Sequence, residues 1–127
     1  MNRIGIIGAM DEEVDILVEL MDIKETIEKA SLKFYKGTLE GKDIVLVRCG
    51  IGKVNSALCA QILISEFNVD AVVNTGVAGA LHSELDVLDM VISTDAIQYD
   101  VDTTAFGDPK GTIPRMESSV FVADEKL

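Results

Sequence analysis

Three consecutive carboxylates, Asp11-Glu12-Glu13, follow the turn Gly8-Ala9-Met10 and precede Val14. At the start of a helix such residues have two uses. They complement the helix dipole, typically by ~0.3–1 kcal/mol each. Alternatively, one of them points into a cleft and takes a proton from a nucleophile as a general base. Val14 and Leu17 face the core in a helical reading, so Glu13 lies nearer the buried boundary than Glu12. The spacing permits a base at Glu13 and leaves the dipole reading open. It argues against phosphate, because a helix N-terminus that attracts anions is here already occupied by negative charge.

Three glycine turns, Gly8-Ala9-Met10, Gly50-Ile51-Gly52 and Gly76-Val77-Ala78-Gly79, each follow a short apolar run. In open α/β sheets ligands sit outside the carboxyl ends of the strands, and glycine lets backbone amides come close to them. A tight turn alone accounts for any single one of these; three at equivalent positions give a ligand crevice equal standing. None is a phosphate cradle. Gly50-Ile51-Gly52-Lys53 lacks the length and the Ser/Thr of a P-loop, and Gly5-Ile6-Ile7-Gly8 is not the dinucleotide fingerprint.

The elements that would position these turns follow from the apolar pattern. Arg3–Ile7 is too short for a helix and reads as a buried strand. Val14, Leu17, Val18 and Met21 have the i, i+3, i+4, i+7 spacing of an amphipathic helix. Leu32–Leu39 and Ile44–Cys49 read as strands joined by the turn Glu40-Gly41-Lys42-Asp43. A helix is expected over Lys53–Glu66, with Val54, Ala57, Leu58 and Ile62 on its buried face, then a strand at Ala71–Asn74. Val87–Thr94 is expected to be a further strand. Residues 100–119, rich in Gly, Pro, Asp and Thr, form a long loop of the kind that carries function or disorder. Val120–Ala123 starts another strand, and Asp124 suits a helix N-cap. Alternating strands and helices imply an α/β fold with a mixed, partly parallel central sheet flanked by helices. Residues 1–127 are expected to form a single domain, truncated at its C-terminal side.

Composition excludes several classes. A net charge of −11, with no cluster of Lys or Arg, would repel a phosphate backbone and an anionic membrane surface. No apolar run approaches the ~20 residues that span a bilayer, and Met1-Asn2-Arg3-Ile4 does not open a secretory signal, so a cytoplasmic location is expected. Cys49 and Cys59 read as small buried hydrophobes, and with the single His82 they make no metal constellation; no cofactor is expected.

The run from Gly5 to Val14, then Gly50-Ile51-Gly52-Lys53-Val54, Asn74-Thr75-Gly76-Val77-Ala78-Gly79 and Thr104-Ala105-Phe106-Gly107 closely resemble, in order and spacing, bacterial 5′-methylthioadenosine/S-adenosylhomocysteine nucleosidases. The Asn-Thr-Gly block is shared with wider nucleoside phosphorylase relatives. The resemblance implies a nucleoside phosphorylase-like fold and hydrolysis of the bond between adenine N9 and ribose C1′. It implies that Glu13 activates the attacking water and that Met10, Ile51, Val77, Ala78 and Gly79 line the nucleoside pocket. It implies a homodimer in which Phe106 reaches the partner's 5′-thio pocket.

Two positions depart from the family pattern: Val77 where some members carry a hydroxyl, and Asp108 where some carry an aromatic. The second concerns the 5′-substituent pocket more than the reaction class. The family's ribose-binding Met-Glu pair and its adenine-protonating Asp are expected beyond residue 127, and Met116-Glu117 is read as unrelated to that pair. Residues 1–127 alone are therefore expected to be inactive. A hydrolase of futalosine-type nucleosides and a noncatalytic ligand-binding or assembly fragment are the competing readings.

Overall fold

The computed structural model describes residues 3–126. The opening apolar run forms β1 (Arg3–Gly8), followed by α1 (Asp11–Leu20), β2 (Asp22–Lys29), β3 (Leu32–Leu39), β4 (Lys42–Arg48), α2 (Lys53–Phe67) and β5 (Ala71–Asn74). The five strands make one mixed sheet in the order β2-β3-β4-β1-β5. β1 is parallel to both of its neighbours, with Gly8 opposite Arg48 and Ile7 opposite Asn74. β2, β3 and β4 pair antiparallel. The expected α/β class with a partly parallel sheet is the one observed.

The strand β4 explains how two helices share this sheet. Ile44, Val45, Leu46 and Val47 are all buried. Val45 and Val47 pack into a cluster with Phe34, Cys59, Leu63 and Phe67, on the α2 side. Ile44 and Leu46 pack with Val14 and Met21, on the α1 side. An unbroken apolar run is what a strand covered on both faces requires, since successive side chains alternate between the faces. Phe34 and Phe67 stack with ring centroids 4.9 Å apart, fastening the end of α2 to β3.

Three details differ from expectation. The buried face of α2 is Cys59, Leu63 and Phe67, whereas Val54 and Leu58 are exposed. The helix is apolar all round, so periodicity does not single out one face, and the choice is made by β1. Gly5 leaves room for Leu63, whose Cδ1 would stand 2.9 Å from a Cβ added there. The strand β2 was not expected. Its only aliphatic side chains are Ile23 and Ile27, at a spacing that suits a helix equally, and an irregularity between Ile23 and Glu25 breaks the register. Val87–Thr94 is not a strand. Asp89 closes a turn within it: the Asp86 N–H donates to Asp89 Oδ2 at 2.8 Å, and the Asp89 N–H to the Asp86 carbonyl at 3.2 Å.

Two compact units are resolved, Met1–Gly79 and Ala80–Leu127. The second contains β6 (Asp95–Ile97) and β7 (Val120–Val122), paired antiparallel with Ala96 opposite Phe121. The expected strand at Val120 is therefore present, while Asp124 serves a local turn, accepting from the Lys126 N–H at 2.7 Å. The 100–119 segment is a loop with one 3-10 turn, Thr104–Phe106. Its internal ties include the Gly111 N–H to the Val101 carbonyl, 2.8 Å, and the Ile113 N–H to Ser119 Oγ, 2.8 Å. No helix among the described residues is long and apolar enough to cross a membrane.

Candidate active site

The parallel pairing of β1 with β4 and β5 brings the three glycine turns to one edge of the sheet. The Cys49 N–H donates to the Gly8 carbonyl at 2.9 Å, and the Thr75 N–H to the Ile7 carbonyl at 2.9 Å. The turns after β1, β4 and β5 are thus immediate neighbours. That gathering was expected from their equivalent positions after strands.

Glu13 ties two of these turns together. Its Oε2 accepts from the Ala9 N–H at 2.7 Å and the Met10 N–H at 3.1 Å. Its Oε1 accepts from the Val77 N–H at 3.0 Å. Locally this is the reach-back half of a capping box, with the third helical residue satisfying amides at the helix start. The bond to Val77 goes further, joining the β1–α1 turn to the chain leaving β5. The amides of Val77, Ala9 and Met10 favour the charged form and hold the Glu13 carboxyl below its ordinary pKa; partial desolvation opposes them without prevailing. Glu13 is half-buried and Glu12 exposed, so of the two alternatives left by the spacing it is Glu13 that turns inward.

Close approach explains the glycine at position 76. A Cβ there would lie 2.6 Å from Glu13 Oε1, closer than any contact a side chain tolerates. The contribution of Val77 is its backbone amide, so the absence of a side-chain hydroxyl leaves this bond intact.

Met10 and Ile51 meet across an open groove of ≈ 310 Å³, between the turns after β1 and β4. The β4–α2 turn is braced by Asn55, whose Nδ2 donates to the Ile51 carbonyl at 2.8 Å. Glu13 does not line this groove; Asp11, Glu12 and Arg48 do. Val77, Ala78 and Gly79 are exposed along the chain after β5. Phe106 belongs to the second unit, where its ring is exposed.

The sequence reading gave no role to Arg48. Its guanidinium holds Asp11 at two points, Nε to Oδ1 at 3.0 Å and Nη1 to Oδ2 at 3.3 Å. The available signal was a single cation closing the apolar strand Ile44-Val45-Leu46-Val47. Cys49 and Cys59 are buried free thiols, as expected. Burial raises both pKa values, that of Cys59 to about 11, which leaves them poor nucleophiles. Among the described residues no group of His, Cys, Asp and Glu is placed to hold a metal ion.

A family described as the phosphorylase superfamily matches residues 3–127. The 5′-methylthioadenosine/S-adenosylhomocysteine nucleosidase of Staphylococcus haemolyticus is 48% identical over 124 residues, covering 98% of this chain and 54% of that protein. A crystal structure of the corresponding Neisseria meningitidis nucleosidase, in complex with methylthio-immucillin-A, superposes with a TM-score of 0.93 at 40% identity, over 99% of this chain and 54% of that one. Futalosine hydrolase of Helicobacter pylori superposes with a TM-score of 0.91 at 36% identity, over 98% of this chain and 54% of that one. The chain spans about half the length of the curated relatives it matches.

Proposed function

Because the chain belongs to the phosphorylase superfamily, we propose that the intact protein hydrolyses the N-glycosidic bond of 5′-methylthioadenosine and S-adenosylhomocysteine, releasing adenine and the thioribose product. The observation that carries this reading is the Glu13 carboxylate, kept charged by three backbone amides at the carboxyl edge of the sheet. A carboxylate has about four lone-pair positions. Two amides occupy Oε2 and one occupies Oε1, so the remaining position on Oε1 is where Glu13 orients a water. That water attacks C1′ and gives its proton to Glu13. The C1′–N9 electron pair leaves with adenine, which takes up one proton from solvent while Glu13 returns its own to solvent, so that one water is consumed for each bond cleaved.

The acidic first turn of α1 supports water rather than phosphate as the nucleophile, since Asp11 and Glu12 add negative charge beside Glu13. Met10, Ile51, Val77, Ala78 and Gly79 are assigned the lining of the nucleoside pocket. Phe106 is assigned to the 5′ end of a partner subunit's site in a homodimer, in keeping with an apolar ring exposed on a loop. The cytoplasm is the assigned location.

In the intact protein, Glu13→Gln should lower kcat for adenine release by about 10²–10⁴-fold while calorimetry with an adenosine analogue still detects binding. Glu12→Gln, read as kcat on methylthioadenosine, is the mild control; equal losses from the two would remove Glu13 from the role of base. Turnover should not depend on phosphate, and a ribose 1-phosphate product would make the protein a phosphorylase. Light scattering that finds a fully active monomer would end the role given to Phe106. The likeness to futalosine hydrolase favours a second substrate reading. Assays of the thioether nucleosides and futalosine side by side decide between them.

A further inference from the structure

Nothing in the proposed reaction uses the Arg48–Asp11 ion pair, although it stands at the mouth of the groove lined by Met10 and Ile51. Its side chains are 54% and 63% exposed, and an ion pair so open to water adds little to stability. The same two residues also line a second depression of ≈ 270 Å³, whose other members include Asp15 and Lys33. The pair therefore borders both depressions, one shared with Met10 and Ile51 and the other with Asp15 and Lys33. Charges of both signs meet a ligand leaving the first groove toward the second.

A thioether whose sulfur bears only a methyl group offers this pair neither a charge nor a hydrogen bond. A thioether that bears an amino-acid tail brings a carboxylate and an ammonium, joined by a short chain. Resting on the nucleosidase reading, we infer that Arg48 and Asp11 form the subsite for the zwitterionic amino-acid end of S-adenosylhomocysteine-type substrates. Asp11 engages two of the five N–H donors of the guanidinium, and those that remain are suited to a carboxylate in planar, two-point contact. The Asp11 and Glu12 carboxylates, both on the groove, accept from the ammonium. Arg48 is thus a specificity-determining residue, acting on binding of the tail and not on the bond that breaks.

The test compares kcat/KM for S-adenosylhomocysteine and methylthioadenosine in the intact protein, as wild type, Arg48→Met and Arg48→Lys. Arg48→Met should lower kcat/KM for S-adenosylhomocysteine about 10-fold more than for methylthioadenosine, with the difference in KM. Arg48→Lys should recover part of it, as a point charge without the planar fork. Losses of equal size on both substrates would reduce the pair to a structural strut and overturn the inference, as would no loss on either. If Arg48→Met does not fold, salt carries the test on the wild type. Added salt should raise KM for S-adenosylhomocysteine and leave KM for methylthioadenosine flat, and parallel responses overturn the subsite. Wild-type protein that releases adenine from neither substrate would overturn the nucleosidase reading itself, a result distinct from an unchanged substrate ratio.

Discussion

Among the described residues, the buried hydrophobic side chains of the core lie between Ile7 and Phe67, whereas Leu81, Val87, Leu88 and Met90 are at least 90% exposed. In residues 1–79 a five-stranded sheet is packed on both faces. In residues 80–127 the regular structure among the described residues is two three-residue strands and one 3-10 turn, with local turns around Asp86, Asp89 and Asp102. Burial can fix geometry over a long sequence distance because displaced atoms lose contacts on every side. Local turns hold only their own neighbours. The proposed base stands in the first kind of structure, and the Phe106 loop in the second.

The largest expected effect of this contrast is in hydrogen exchange. Amides of β1 and β4 should exchange about 10³-fold or more slowly than those of residues 81–94. Uniform protection would remove the distinction. Side-chain truncation should follow the same division. Phe34→Ala, at a fully buried ring, should cost about 3–5 kcal/mol in urea unfolding, and Val87→Ala within about 0.5 kcal/mol. Within the first unit, Gly76→Ala forces a Cβ against Glu13 Oε1. It should lower kcat by about 10²-fold through misplacement of the base, and wild-type kcat in that variant would show that the carboxylate position is not critical.

A smaller effect is expected from pH. Glu13 has a lowered pKa when folded, so its contribution to stability is fully present above the unfolded value and is lost as pH falls through the folded one. Wild type and Glu13→Gln should therefore differ in Tm at neutral pH and converge in acid. The acid limb of kcat/KM assigned to Glu13 should lie below the usual glutamate range. The smallest change is expected at Leu88, a residue with φ of 80° in the second unit. Leu88→Gly relieves left-handed strain of roughly 1–2 kcal/mol but adds backbone freedom to the unfolded chain. Tm should rise slightly or stay level, and a clear fall would mean that the Leu88 side chain has a contact of its own.

The sequence was most informative where a physical constraint leaves a periodic trace. Ile44–Val47 reads as a strand because both faces are covered, and α1 shows a stripe because only one face is. The acidic turn and the glycine turns were visible by residue type, and their meeting followed from their positions after parallel strands. Other features left no such trace. The orientation of α2 depends on a space above Gly5 that periodicity cannot encode. Residues 87–94 are apolar enough for a strand, yet two aspartates spaced for a turn decide otherwise. Arg48 was recognisable as a cation; its pairing with Asp11 required knowing that Arg48 lies opposite Gly8.

The bond from the Val77 amide to Glu13 spans 64 residues, which bears on the order of assembly. The antiparallel hairpins of β2, β3 and β4 close over short loops and form early. β1 must then wait for β4 and β5, whose pairing encloses much longer loops at a greater entropic cost. A refolding chain would therefore regain much of its strand content before the proposed base acquires its third amide. Circular dichroism should recover ahead of ligand binding, with the reactive carboxylate among the last groups to be set.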